Sequence, residues 1–279
     1  MVDSINHDIR NNNGRSIILP AWKGGQVGYG NLVIPDIRDV DSSQVYPIGT
    51  KMLDGERVFY YAKTTATGIT RADLLVKNAY HQCIAQRSVS AIAAVGAKTL
   101  IITIGADGVL SDSAIAENEL AGGYVVVFPR TAANTYDSFV CRILKNTATT
   151  TTADEITLTL QDEIPIALDT DSLAECIHNP FAGCQTDSVL AHPVIGFAHA
   201  QVTGAKWFWL QTWGPIWVSI QAAVGVAGVQ GVVARHDGSL DIADATVSGY
   251  ISSQAVGHIM SETSAGAQAA PFVMLQICP

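Results

Sequence analysis

Apolar and polar residues alternate with a period of two along most of the chain. Five short segments show this alternation and are rich in β-branched and aromatic residues: 58–62, 99–104, 124–128, 139–144 and 155–160. Alternation of this kind predicts β-strands with one buried face. Asp54-Gly55, Asp107-Gly108 and Asp237-Gly238 lie between apolar runs and predict hairpin turns, because glycine readily adopts the positive φ that such turns require. The chain is therefore predicted to be mainly β.

Helical periodicity is weak by comparison. Two segments carry apolar residues at helical spacing, residues 71–86 and residues 169–178, and we expect one short helix at most. Residues 1–45 are dense in Gly and Asn, which predicts an extended N-terminal arm. A second break at residues 178–188 contains proline and turn-forming residues. We therefore predict an arm over 1–45, a β domain over 46–185 and a Trp-rich β domain over 186–279, with each domain a β-sandwich or barrel.

The segment from Trp207 to Ala234 contains no charged residue. It holds four of the five tryptophans, and these are the candidate interface residues: Trp207, Trp209, Trp213 and Trp217. The first three share one parity, so a strand would place their indoles on one face. Gly214-Pro215 would break a membrane-spanning helix, because proline lacks an amide donor and clashes with the preceding turn. We expect buried strands here, with at least one of the four indoles at a contact between subunits.

Composition narrows the classes of partner. The net charge is -9, and no cluster of Lys and Arg occurs, which argues against nucleic-acid binding. Only 15% of the residues are charged and the mean hydropathy is +0.24, which favours apolar surface hidden in an oligomer, although a large single core has the same composition. The five cysteines are widely spaced and the start lacks the pattern of a cleaved signal peptide. We therefore expect free thiols, a reducing cytoplasm and no membrane partner.

Motifs for catalysis and cofactor binding are missing from the sequence. It contains no G-x-S-x-G, no phosphate-binding Gly-Lys-Ser/Thr and no G-x-G-x-x-G dinucleotide loop. Cys176, His178 and Cys184 are close together, but their C-x-H-x5-C spacing lacks the paired thiolates that structural zinc sites use. We therefore predict a protein that is not an enzyme, without catalytic residues, a cofactor or a metal site.

Six phrases occur in order over residues 46–279: YPIGTKMLDGERVFYYAKT, NELAGGYVVVF, ITLTLQDEIPIALDTDS, HNPFAGC, AHPVIGFAHA and WFWLQTWGPIWV. Together they resemble structural proteins of tailed bacteriophages, especially capsid decoration or cement proteins. The resemblance implies a non-enzymatic virion protein that is assembled in the host cytoplasm and located on the capsid surface. Its implied partners are the major capsid protein and two further copies of itself, in a homotrimer between capsid subunits.

Two other interpretations of the sequence stay open. One is a tail, baseplate or neck component of the same kind of virion. The other is a carbohydrate-binding module or an enzyme of β-sandwich type, which an exposed aromatic platform with adjacent carboxylates would favour. Aromatic residues buried in a contact between subunits would instead favour the decoration protein.

Overall fold

The structure is a computed structural model that describes residues 9–12, 15–18, 35–80, 84, 86–104, 115–130, 137–149, 155–220, 224, 230–243, 251–260 and 272–279. The regular elements in these residues are all β-strands, and no helix occurs among them. The prediction of a mainly β protein is confirmed. The chain divides into two compact units: unit 2 lies within residues 80–180, and unit 1 contains the described residues up to 79 and from 181 onward.

The described residues of both units form strands. The first part of unit 1 contributes β1 (Ile9–Asn12), β2 (Arg15–Ile18), β3 (Val40–Asp41), β4 (Lys51–Asp54), β5 (Arg57–Lys63) and β6 (Leu75–Asn78). Unit 2 contributes β7 (Arg87–Ser88), β8 (Thr99–Thr103), β9 (Tyr124–Phe128), β10 (Phe139–Asn146), β11 (Glu155–Leu160) and β12 (Leu173–Ile177). The second part of unit 1 contributes β13 (Cys184–Gln185), β14 (Val194–Ala198), β15 (Trp207–Ile216), β16 (Gly231–Arg235), β17 (Leu240–Ile242), β18 (Ile251–Ile259) and β19 (Val273–Gln276).

Unit 1 is built on one large antiparallel sheet. Its main path runs β1-β2-β4-β5-β15-β19-β18-β16-β17, and β3, β6, β13 and β14 attach beside it. The predicted turn at Asp54-Gly55 is confirmed, with Gly55 at φ 61 between β4 and β5. The turn at Asp237-Gly238 is confirmed in the same way, with Gly238 at φ 85 between β16 and β17. Asp107-Gly108 lies outside the described residues.

Unit 2 is a six-stranded antiparallel sheet in the order β7-β12-β9-β10-β11-β8. Its two ends approach each other, because Val89 after β7 forms a bridge with Ile102 of β8. Alternate residues point inward, and fully buried side chains such as Leu100 and Leu158 fill the interior. The sheet is therefore a nearly closed barrel whose core is made of side chains. All five segments predicted as strands form strands, four of them in this barrel.

The described residues of both segments with helical spacing contain a strand and no helix. Residues 71–86 contain β6 and residues 169–178 contain β12, so these helix candidates are wrong. All four residues of β6 are buried, and burial on both faces removes the alternation that identifies a strand. Within the described ranges, no helix is long and apolar enough to cross a membrane.

The division into domains also differs from the predicted one. The structural boundary follows residue 180, and residues 46–79 belong to unit 1 together with the Trp-rich part. Within the predicted arm, β2 pairs with β4 and β3 pairs with β15, so these parts are strands of the sheet. Arm residues 1–8, 13–14 and 19–34 lie outside the described residues.

Candidate interaction surface

β15 carries the tryptophans through the sheet of unit 1. One edge of β15 pairs with β5, and the other edge pairs in succession with β3, β14 and β19. Residues 208–212 are all buried, because the strand is paired along both edges and covered on both faces. The prediction of a buried strand is confirmed for this part of the segment.

Trp209 is a core residue of unit 1. Its indole is 1% exposed and packs against Tyr46 and Tyr61, with ring centroids 5.3 Å and 5.2 Å away. The Tyr61 hydroxyl donates a hydrogen bond to Asp41 Oδ2 at 2.6 Å, and burial raises the pKa of Tyr61. Trp207 is half-buried and packs on the same cluster. Trp209 is therefore too buried to contact a partner, whereas Trp207 is partly exposed.

The Trp213 side chain does not lie on the same face of β15 as the Trp209 side chain. Gln211 pairs with Phe59, but Trp213 pairs with Val58, so β15 holds one extra residue between the two pairs. Such a β-bulge interrupts the alternation of side chains along a strand. The prediction that the first three tryptophans share one face is therefore wrong for Trp213.

Trp217 directly follows β15 and is exposed. The two neighbouring strands, β19 and β18, are also flanked by apolar residues on this side of the sheet. Val273 of β19 pairs with Ile216, which precedes Trp217, and with Ile259, which precedes Met260. Phe272 precedes Val273, so Trp217, Phe272 and Met260 form a row across three strands. Their exposed fractions are 47%, 58% and 51%.

This row lies on the outer side of the sheet. The residues that pair just behind it, Ile216, Val273 and Ile259, are buried in the core of unit 1. The side chains of the row therefore point the opposite way, because successive residues of a strand alternate between faces. Pro215 and Met274 pair with each other on the same outer side and are half-buried. We call these five residues the Trp217 face: Trp217, Met260, Phe272, Pro215 and Met274.

The Trp217 face has the chemistry of a protein contact. It is apolar, and its neighbours on the outer side of β18 and β19 are polar: the Nδ1 atom of the exposed His258 ring lies 3.4 Å from Gln276 Oε1. An apolar centre with a polar rim is the usual composition of such contacts. Of the four candidate tryptophans, Trp217 is the one that the structure leaves exposed.

A second unusual feature of unit 1 is a buried lysine on β6. The Lys77 ammonium group donates hydrogen bonds to Val189 O at 2.8 Å and to His236 O, and it lies 3.6 Å from Asp187 Oδ1. Burial lowers the pKa of Lys77. These contacts hold the loop after β13 against the turn between β16 and β17, which is a structural role for the charge.

The carboxylate of Asp187 is the centre of this polar network. Its Oδ2 atom accepts a hydrogen bond from Gln185 Nε2 at 2.5 Å and lies 2.5 Å from His192 Nδ1. Burial raises the pKa of Asp187, but the hydrogen bonds from Gln185 and His192 outweigh burial and hold this pKa below its ordinary value. Asp187 is therefore an acceptor that stabilises its loop in the ionised form.

The three residues weighed as a zinc site have separate environments. Cys176 belongs to the barrel core, His178 Nε2 lies 3.5 Å from Glu119 Oε1, and the Cys184 thiol donates to Phe181 O at 3.3 Å. Burial raises the pKa of Cys184. No group of three or more His, Cys, Asp and Glu side chains placed to hold a metal ion occurs in the part of the chain that the structure describes.

Sequence reasoning found Trp217 but missed Met260 and Phe272. These two residues are far from Trp217 in the chain, and only the pairing of β15, β19 and β18 brings them beside it. A weak signal was present, since Phe272 opens the closing apolar run of the sequence.

No protein-family model, curated protein or solved structure matches this chain. The resemblance to phage virion proteins therefore rests on the sequence phrases given above. The Trp217 face is an observation of this structure alone.

Proposed function

We propose that this protein is a non-enzymatic structural protein of a tailed-bacteriophage virion, which binds the capsid shell from outside and stabilises it. The observation that carries the proposal is the Trp217 face, where Trp217, Met260 and Phe272 each expose about half of an apolar side chain in one row. Contiguous exposed apolar groups mark sites where another protein binds. Tryptophan is also enriched among the few residues that dominate the energy of an interface.

Composition and sequence resemblance support the same proposal. A charged fraction of 15% fits a protein that hides part of its surface in an assembly. The phrases over residues 46–279 resemble capsid decoration proteins, and they include the strand that leads to Trp217. In this proposal the partner is the major capsid protein, and three copies of the chain associate at sites between capsid subunits on the virion surface.

A binding experiment with capsid shells tests the proposal. Purified protein is mixed with shells of the phage that encodes it, from particles that lack this protein, and the bound fraction is measured after sedimentation. Wild-type protein should sediment with the shells. Trp217→Lys and Phe272→Lys should each weaken binding at least about tenfold, since a charge in an apolar contact is costly to desolvate. Ile92→Lys is the matched control, because Ile92 is exposed and belongs to unit 2, so it is not a residue of the Trp217 face.

Other outcomes identify the alternatives. If wild-type protein ignores shells but binds purified tails, the protein is a tail, baseplate or neck component. If it binds neither but binds immobilised glycans, the carbohydrate-binding interpretation holds. Shell binding that both lysine variants retain would keep the decoration function and exclude the Trp217 face as the contact. Circular dichroism of each variant checks that the fold is intact.

A further inference from the structure

The outer side of the barrel in unit 2 carries a patch that the proposed function does not use. β9 lies between β12 and β10, and two rows of residues cross these three strands. We call these six residues the barrel patch: Glu175, Val126 and Val140 in the first row, and Ile177, Tyr124 and Arg142 in the second row.

The barrel patch points away from the core. The row between the two patch rows consists of Cys176, Val125 and Cys141, which are buried in the barrel interior. Alternation then directs the patch side chains outward. Val140 is 62% exposed and Ile177 is 44% exposed, while the other four are half-buried.

The four corner residues of the patch lie on two diagonals that differ in chemistry. Glu175 and Arg142 occupy one diagonal and carry opposite charges. Val140 and Ile177 occupy the other diagonal and are apolar. Neighbouring strands lie about 4.8 Å apart and alternate residues of a strand about 6.8 Å apart, so each diagonal is about 12 Å long. The guanidinium group of Arg142 stacks 4.8 Å from the centre of the Tyr124 ring, which holds it on the patch.

We propose that the barrel patch is a contact between two copies of this chain, related by a twofold axis in the contact plane at about 45° to the strands. This axis passes close to the Val140–Ile177 diagonal. Rotation about it brings Glu175 of each copy opposite Arg142 of the other copy. Val140 and Ile177 each face their own counterpart, and the strands of the two copies cross at about 90°, which is an established packing of two sheets.

Charge complementarity indicates that the partner is a second copy of this chain, and it also fixes the orientation of that copy. A twofold axis along the strands would place Glu175 opposite Val140, and an axis across the strands would place Glu175 opposite Ile177. Both arrangements bury a carboxylate against an apolar group, which is unfavourable. The diagonal axis alone pairs both charges of each copy. The contact shares no residue with the Trp217 face and does not depend on the proposed function; in a homotrimer it would link one trimer to another.

The size of the patch predicts a weak contact. Three short strands cover less than the roughly 800 Å² per partner that stable complexes bury. We therefore expect association only at high concentration, with a dissociation constant of about 10 µM or weaker. Many copies held close together on one surface would reach such concentrations.

Charge reversal tests the contact in the full chain. Sedimentation equilibrium from about 1 µM to about 1 mM should show the wild-type mass rising toward twice its low-concentration value for a single chain, and to twice that value or more for a homotrimer, which carries three barrel patches. Glu175→Arg places Arg opposite Arg, and Arg142→Glu places Glu opposite Glu, so each should weaken association at least about tenfold. The double variant exchanges the two charges and should restore association to within about threefold of wild type.

Two further variants keep the test decisive. Val140→Arg brings two like charges together on the axis and should abolish association, which replaces the Arg142 variant if that protein fails to fold. Ile92→Arg adds the same charge in unit 2 outside the patch and should change nothing. A wild-type mass that is independent of concentration would overturn the proposal, as would a double variant that stays as weak as the single ones.

Discussion

Replacing Trp209 with Ala should destabilise unit 1. The indole is almost fully buried between Tyr46 and Tyr61. Removing a buried tryptophan from a packed cluster costs about 3–5 kcal/mol. However, Trp209 Nε1 is buried without a hydrogen-bond partner among the described residues. Deleting an unsatisfied buried donor regains about 1–3 kcal/mol, so we expect a net loss of about 2 kcal/mol.

Two matched variants separate the packing contribution from the polar one. Trp209→Phe keeps most of the ring and removes the unsatisfied N–H group, so its free energy of unfolding should fall by less than about 1.5 kcal/mol. Trp217→Ala removes the same side chain from a site where about half of it already contacts water. It should cost less than about 1 kcal/mol, because little apolar area returns to solvent.

Urea unfolding followed by tryptophan fluorescence measures these differences. The chain has two compact units, so its unfolding should be fitted with two transitions rather than one. The four tryptophans of residues 207–217 all belong to unit 1 and report on its transition. If Trp209→Ala were as stable as Trp217→Ala, the placement of Trp209 in the core would be refuted.

Three further predictions concern other parts of the chain. Ile17→Ala should lower the free energy of unfolding by about 2–4 kcal/mol in urea titration, because Ile17 is buried on β2; an unchanged value would show that this strand does not belong to the folded sheet. EDTA should leave the melting temperature unchanged, and a fall of many degrees would reveal a metal site. Asp187 has a lowered pKa, so its contribution to stability is present above its unfolded pKa of about 3.9 and is lost as the pH falls through its lower folded pKa. Wild type should therefore lose stability below about pH 4 more steeply than Asp187→Asn, and equal slopes would contradict this role.

Local pattern was sufficient to predict β5, β8, β9, β10, β11 and β15, but not the partners of these strands. Segments such as 124–128 and 155–160 bury one face, so alternation marks them plainly. β6 is buried on both faces and contains Lys77, whose charge is satisfied by carbonyl groups from distant loops. Nothing near Lys77 in the sequence indicates those acceptors, and the spacing of apolar residues in its segment makes that segment a helix candidate. The insertion of unit 2 within unit 1 also depends on long-range pairing.

The candidate surface was predictable only in part for the same reason. The charge-free segment identified Trp217 as one of four candidates. The extra residue between Gln211 and Trp213 changes which tryptophans share a face, and a bulge has no mark in the alternation pattern. Met260 and Phe272 join Trp217 through strand pairing across long stretches of chain.

Locating the protein in virions tests the central claim most directly. Virions of the phage that encodes the chain are purified, their proteins are identified by mass spectrometry, and the particles are imaged by electron microscopy. We predict that this protein is a virion component and that its density lies on the outer surface of the capsid, with Trp217 against the major capsid protein. Absence of the protein from virions, or density confined to the tail, would contradict the proposed function.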